Sequence, residues 1–493
     1  MPNRRVLMVA LDGLDISVLR DAFAAGRMPN LKAFVESSLE SAVNSLGEQI
    51  EGSVWPTFAT GMGPGIHGHH WFTQWIAEDA AFVPASDPRL SLEPFWGEAL
   101  NAGRRVTLFD IAYALPIGHA NERAYTGWGL QDEMAENAHP ATFGKAIRKR
   151  HGRSHVRKDT QLVRTPHDRL RLARQLRMGS RQRGEVLQGL VEARDWDLLI
   201  FGFGEFHLGG HHLSAPMQLS PKVSSEAAML AILEPLDRAW PAIVAAAGDD
   251  CDIALFAVHG MQHRVPYGEA AQRIVQAMEG KPPPGPARQD FVRRLRNLLP
   301  EGLHQAIWLR LPASVRIQRV AQAWLNRIDI HRDPVFVLEA DCAVPLRLNM
   351  EGRERFGVVA RDDGRALLAA VERESQRYRT EDGLQPFGDL ILSEEVFNGP
   401  RVHRLPDGTL LFNPHVLRTR RLTRDDGFEV VLQNPESRNG VHTGRGFCFY
   451  RPAAGAPPQL LREEVDNLDF APTILERLGV TPTAHYEGTP FLA

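Results

Sequence analysis

The chain has 493 residues, with 43% hydrophobic and 24% charged side chains and a formal net charge of −3. That length exceeds what one small core occupies and the composition is that of a globular chain, so extensive disorder is excluded and a large core domain with a smaller inserted or appended unit is expected. The near-neutral balance gives no general attraction for a nucleic acid polymer or an anionic membrane, so an anionic ligand must be held by local charge such as a metal.

Taken in chain order, Arg4 and Arg5 lead straight into an apolar stretch at 6–10 that is too short for a signal-peptide core and lacks a small-residue cleavage site. No run of eighteen apolar residues occurs, so no membrane span is expected. The three cysteines, Cys251, Cys342 and Cys448, are too widely spaced for a disulfide framework or a structural zinc site, which fits a reducing compartment and a cytoplasmic location. Short apolar runs at 6–11, 198–203 and 253–258 have the character of fully buried parallel strands. A helical apolar pattern at 226–247 precedes the third. Strands alternating with helices predict an α/β fold with a mostly parallel central sheet and helices on both faces. The pattern changes after Tyr267. A Pro-rich loop at 281–286 is followed by basic amphipathic helices at 291–299 and 315–328, a strand at 343–349, a helix at 366–378 and a turn at Pro406, Asp407 and Gly408. The expected organisation is therefore a core over 1–264, an inserted helical and α+β cap over 265–420, and the end of the core over 421–493.

Each of the three strands ends in polar groups: Asp12 after the first, Glu205, His207 and His211 after the second, and His259 after the third. Ligands of open α/β sheets bind at that edge. The segment from Glu205 to His212 offers a carboxylate and three imidazoles, the oxygen and nitrogen donors of a hydrolytic zinc. Following a strand directly, these side chains are expected to converge at the sheet edge rather than scatter along a helix. Between Glu51 and Gly61, Pro56 suits the first turn of a helix, because its missing N–H has no partner there. Ser53 then stands at a helix N-terminus, where backbone N–H groups and the helix dipole favour an anion, as a nucleophile attacking phosphorus requires. A serine there also serves as an ordinary helix cap. His442, before an apolar strand at 447–450, is a further candidate ligand.

The opening stretch at 6–15, the segment from Trp55 to Gly68, the His259-Gly-Met261 turn and the terminal stretch at 469–479 resemble, in that order, the nucleotide pyrophosphatase/phosphodiesterase branch of the alkaline phosphatase superfamily. The resemblance implies a hydrolase that cleaves a small anionic phosphodiester or phosphomonoester through a Ser/Thr nucleophile at a two-metal site. It implies two divalent ions, zinc or alternatively manganese. Asp12 and His259 would bind one, and Glu205, His211 and His442 the other, with His207 competing as a ligand. Two departures stand out. Val258 occupies the usual place of an aspartate ligand, leaving Asp15 or His263 as substitutes, and an ungapped count from Thr60 places Glu51 where a Thr or Ser nucleophile is usual. Ser53 is accordingly the candidate nucleophile after a local length change, with Thr57 in reserve. Sulfate or phosphonate esters are alternative substrates, although no cysteine has proline two positions on, as the usual sulfatase nucleophile does. A metal-binding pseudoenzyme of the same fold is the non-catalytic alternative.

Overall fold

The computed structural model describes residues 4–129, 136–156, 163–278, 311, 313–432, 438–455 and 462–492. The Pro-rich loop at 281–286 and the helix expected at 291–299 lie outside them. The central sheet is built from β1 (Arg5–Leu11), β2 (Leu39–Asn44), β3 (Val106–Phe109), β4 (Glu122–Thr126), β5 (Asn137–His139), β6 (Leu198–Phe203), β7 (Cys251–Ala257), β8 (Arg445–Arg451) and β9 (Glu464–Asp466). Their order across the sheet is β9-β2-β8-β7-β1-β6-β3-β4-β5. β7, β1, β6, β3 and β4 run parallel, and β9 is parallel to β2. β8 is antiparallel to both its neighbours, and β5 is antiparallel to β4.

The expected α/β architecture is thus the observed one, and β1 shows why its strands read as unbroken apolar runs. Leu7, Val9 and Leu11 point into one core, while Val6, Met8 and Ala10 point into another. Helices cover both faces, so neither set of alternating side chains reaches water. On one face lie α2 (Pro166–Ala193) and α4 (Ser225–Ala247), whose apolar stripes share the first core. α2 opens on a capping box in which Thr165 and Asp168 each accept from the other's backbone N–H. On the other face, α1 (Val54–Thr60) and α5 (Phe470–Arg477) bring Phe58 and Phe470 together with Phe256.

Beyond Tyr267 the chain builds antiparallel sheets over the carboxyl edge. Val335–Val337, Ala343–Leu348, Gly408–Phe412 and Phe387–Leu392 form one, and Tyr378–Thr380, Arg421–Arg424 and Glu429–Val431 form another. They share an apolar cluster of their own that includes Tyr267, Leu346, Leu410 and Leu422 and continues through Val430 and Leu432. The helix expected at 315–328 is Ala313–Leu325. That expected at 366–378 is Gly364–Ser375, with Tyr378 already opening a strand. Among the described residues no helix is long and apolar enough to cross a membrane.

Candidate metal centre and active site

β1, β6 and β7 deliver three of the donor-bearing segments to one edge: Asp12 directly after β1, α3 (Glu205–Leu213) after β6, and His259 after β7. His442 arrives on a short antiparallel pair, Gly260–His263 with Gly440–Thr443, in which it stands opposite Met261. The segment from Glu205 to Leu213 is an α-helix, which corrects the expectation that its side chains would not be arrayed along one. Helical spacing decides which of these side chains share a face. His207 and His211 are one turn apart on a single face, whereas Glu205, two residues before His207, points about 200° away at 100° per residue.

Glu205 therefore faces the interior. Its Oε1 accepts from Arg183 Nε at 2.8 Å, and the same guanidinium donates to Asp110 Oδ2 at 2.5 Å and to Gly202 O at 2.8 Å. His207 and His211 instead join Asp12, His259 and His442. His259 Nε2 lies 3.2 Å from Asp12 Oδ1, His207 Nδ1 lies 3.4 Å from Asp12 Oδ2, and His211 Nε2 lies 3.1 Å from His207 Nε2. The His442 ring centre is 4.4 Å from that of His259 and 4.9 Å from that of His207. Val258 packs in the apolar core, and Asp15 caps the following helix through Ser17 N at 2.9 Å.

Backbone carbonyls fix the ring tautomers. His211 Nδ1 lies 2.9 Å from Gly440 O and His259 Nδ1 lies 3.1 Å from Gly260 O. A carbonyl oxygen only accepts, so each Nδ1 carries a proton and each Nε2 is turned toward the group. The Nε2 of His259 faces Asp12 Oδ1, which also accepts from Trp55 Nε1 at 3.0 Å. Burial opposes ionisation of Asp12, but His207 and His259 hold its carboxyl well below the usual range. Burial, reinforced by neighbouring imidazoles or Arg438, keeps His211 and His442 well below the ordinary histidine value and so neutral.

The orphaned ring nitrogens of His442, set among three further imidazoles and the Asp12 carboxylate, are the test of whether the residues fit a metal. They do. Donors about 2.1 Å from a tetrahedral ion are about 3.4 Å apart, close to the separations here. Donor atoms of His207, His259 and His442 all lie within 4.8 Å of one another. Both ring nitrogens of His442 are buried without a hydrogen-bond partner. A cavity of about 130 Å³ opens onto the group, walled by Trp55, Trp71 and Tyr113 among others.

Five of the sequence-derived site residues, Asp12, His207, His211, His259 and His442, stand together at this cavity. Glu205 is held at Arg183, as described. Ser53 caps α1 by position, but it is fully buried and its Oγ donates to Ile50 O at 2.6 Å. Thr57, inside α1, has its Oγ1 3.1 Å from Nε2 of His67 in the next short helix, Pro64–His67. Neither hydroxyl lines the cavity, while Glu51 and Gly52 do. Glu51 Oε1 accepts from Asp341 N at 2.5 Å and its Oε2 from the Cys342 thiol, and burial together with the Asp341 carboxylate pushes its own carboxyl upward. The ungapped count from Thr60 pointed at Glu51. Nothing in the sequence around Cys342 or Asp341 marked them.

Solved structures with the same fold bear very different sequences. The phosphonoacetate hydrolase of Sinorhizobium meliloti 1021, in complex with phosphonoacetate, aligns with a TM-score of 0.54 at 15% identity, over 97% of this chain and 96% of that one. An inactive variant of murine ectonucleotide pyrophosphatase/phosphodiesterase 5, in complex with AMP, aligns at 0.52 and 10% identity, over 99% of this chain and 100% of that one. The human form of the latter aligns at 0.51 and 11%, over 98% and 96%. At such identities the likeness establishes the fold. No curated protein sequence matches the chain. A profile of the type I phosphodiesterase/nucleotide pyrophosphatase family matches residues 6–389. With that match over most of its length and an alkaline phosphatase-like fold beneath it, the chain belongs to the type I phosphodiesterase/nucleotide pyrophosphatase family of metal-using phosphoric ester hydrolases.

Proposed function

We propose that this chain hydrolyses a small anionic phosphate ester or phosphonate at a divalent-metal centre held by Asp12, His207, His211, His259 and His442. The observation that carries the reading is the buried His442 imidazole, neither of whose ring nitrogens has a hydrogen-bond partner, standing with His207 and His259 so that their donor atoms lie within 4.8 Å of one another. The imidazole-rich donor set suits zinc, with manganese as the alternative, and its extent suits the pair of ions implied by the sequence. When bound, the metal supplies positive charge to the transferring group and makes an attacking hydroxyl more acidic. The protein's own part is to fix the ring orientations of His259 and His211 through Gly260 O and Gly440 O, to orient Asp12 through Trp55, and to exclude water with the Trp55, Trp71 and Tyr113 walls. The phosphonate bound to the structural neighbour from Sinorhizobium supports including phosphonates among the substrates.

Ser53 remains the proposed nucleophile, and to attack it must release Ile50 O and turn toward the cavity. Its present engagement favours a second reading, in which water attacks directly. The three cysteines are unpaired, which supports a reducing, cytoplasmic setting. The test is a screen of phosphomonoesters, phosphodiesters, phosphonates and sulfate esters with zinc or manganese added, run alongside a metal count. Turnover of a phosphorus substrate that is abolished in Ser53→Ala supports the covalent route through Ser53, turnover that survives there but is lost in Thr57→Ala transfers that role to Thr57, and turnover surviving in both variants selects water. Metal bound without turnover of any substrate overturns the enzymatic reading in favour of a binding role.

A further inference from the structure

We infer that Glu51, Cys342 and His442 form a further, thiolate-containing metal position that ties the cap to the catalytic edge. Its donors come from three distant parts of the chain: the turn before α1, the start of the cap strand Ala343–Leu348, and the Gly440–Thr443 strand. All are buried, and their ligand atoms lie within 4.8 Å of one another. Glu51 Oε2 accepts from the Cys342 thiol and lies 3.5 Å from His442 Nδ1. That nitrogen has no hydrogen-bond partner, and His442 is 91% buried, so an unsatisfied imidazole is aimed at a carboxylate already paired with a thiol.

Leaving such an imidazole unsatisfied costs free energy that a cation would recover. One oxygen, one sulfur and one nitrogen donor suit a borderline-soft divalent ion of the zinc or cobalt type and disfavour magnesium and calcium. On binding, the thiol proton is released to solvent and the sulfur lone pair becomes the metal bond. With Nδ1 turned to Glu51, the opposite nitrogen of the His442 ring remains for the histidine group. Filling both positions at once releases the ring proton as well. Glu51 and His442 line the cavity, so the position borders the substrate space. The inference rests on the proposed metal centre only through the sharing of His442.

Cobalt(II) substitution of the full chain tests it. The wild-type protein is expected to show a near-ultraviolet thiolate-to-cobalt charge-transfer band in addition to visible d–d bands. Cys342→Ser should lose the charge-transfer band and keep the visible ones, with Cys342→Ala as the substitute if the first variant does not fold. Glu51→Gln should weaken cobalt binding at this position about tenfold or more, since even the loss of an outer partner costs that much. Visible bands without a charge-transfer band in the wild type overturn the inference and leave the proposed function standing. Failure to bind cobalt at all overturns both.

Discussion

Replacing Arg183 by methionine should destabilise the protein by about 3–5 kcal/mol, the usual cost of removing one partner from a buried ion pair. The Arg183 side chain is 1% exposed, and those of Asp110 and Glu205 are 2% and 0% exposed. Asp110 keeps two donors in the variant, Trp128 N and Gly129 N, each at 3.0 Å. Glu205 is worse placed, because Arg183 is its hydrogen-bonding partner on Oε1 and Oε2 is buried without one. Most of the penalty therefore falls on Glu205, and Arg183→Met combined with Glu205→Gln should recover about half of it by removing the stranded charge. Urea unfolding followed by circular dichroism, with the slope monitored for a change of mechanism, reads the effect. A loss below about 1 kcal/mol, the range of an exposed salt bridge, would refute the assignment of these groups as a buried network. Glu205→Gln alone gives an independent check. It should lower stability and leave metal stoichiometry unchanged, whereas loss of one metal equivalent at unchanged stability would make Glu205 a ligand.

Three further outcomes are expected. His442→Ala should lower metal affinity by at least about tenfold, and unchanged metal content by elemental analysis would remove it from the centre. Gly440→Ala should also release metal without touching a ligand, since a Cβ there would lie 2.1 Å from Gly210 O and push the Gly440–Thr443 strand off α3. Unchanged cobalt affinity in that variant would argue against the packing. The last concerns pH: burial pulls His69 down to about 4 and His70 to about 3. These folded-state values lie below the unfolded value, so the stability they confer is intact above pH 6.5 and is lost as pH falls toward the folded values, at about 1 kcal/mol per pH unit for each histidine. Urea midpoints between pH 7 and 5 should show this slope, and it should flatten in His69→Gln and His70→Gln. An identical slope in the variants would assign the acid sensitivity elsewhere.

The sequence by itself determined the architecture, because a strand buried on both faces must be apolar at every position. The runs near 6–11, 198–203 and 253–258 have that character, and β1, β6 and β7 lie on them. It also brought Asp12, His207, His211, His259 and His442 forward as candidates, since donors placed directly after such strands arrive at a common edge. What only the tertiary structure decided was direction. Whether Glu205 or His207 faces the cavity depends on the helical phase of α3, and a 100° step per residue turned the carboxylate to Arg183 and the imidazole to Asp12. Whether a hydroxyl reaches the cavity depends on the short turn before α1, which exposes Glu51 to it and ties Ser53 to Ile50 O. The meeting of Glu51 with Cys342, 291 positions apart, follows from the fold of the cap over the core. No local pattern encodes such a contact, because its free energy comes from burial that exists only once both parts have folded.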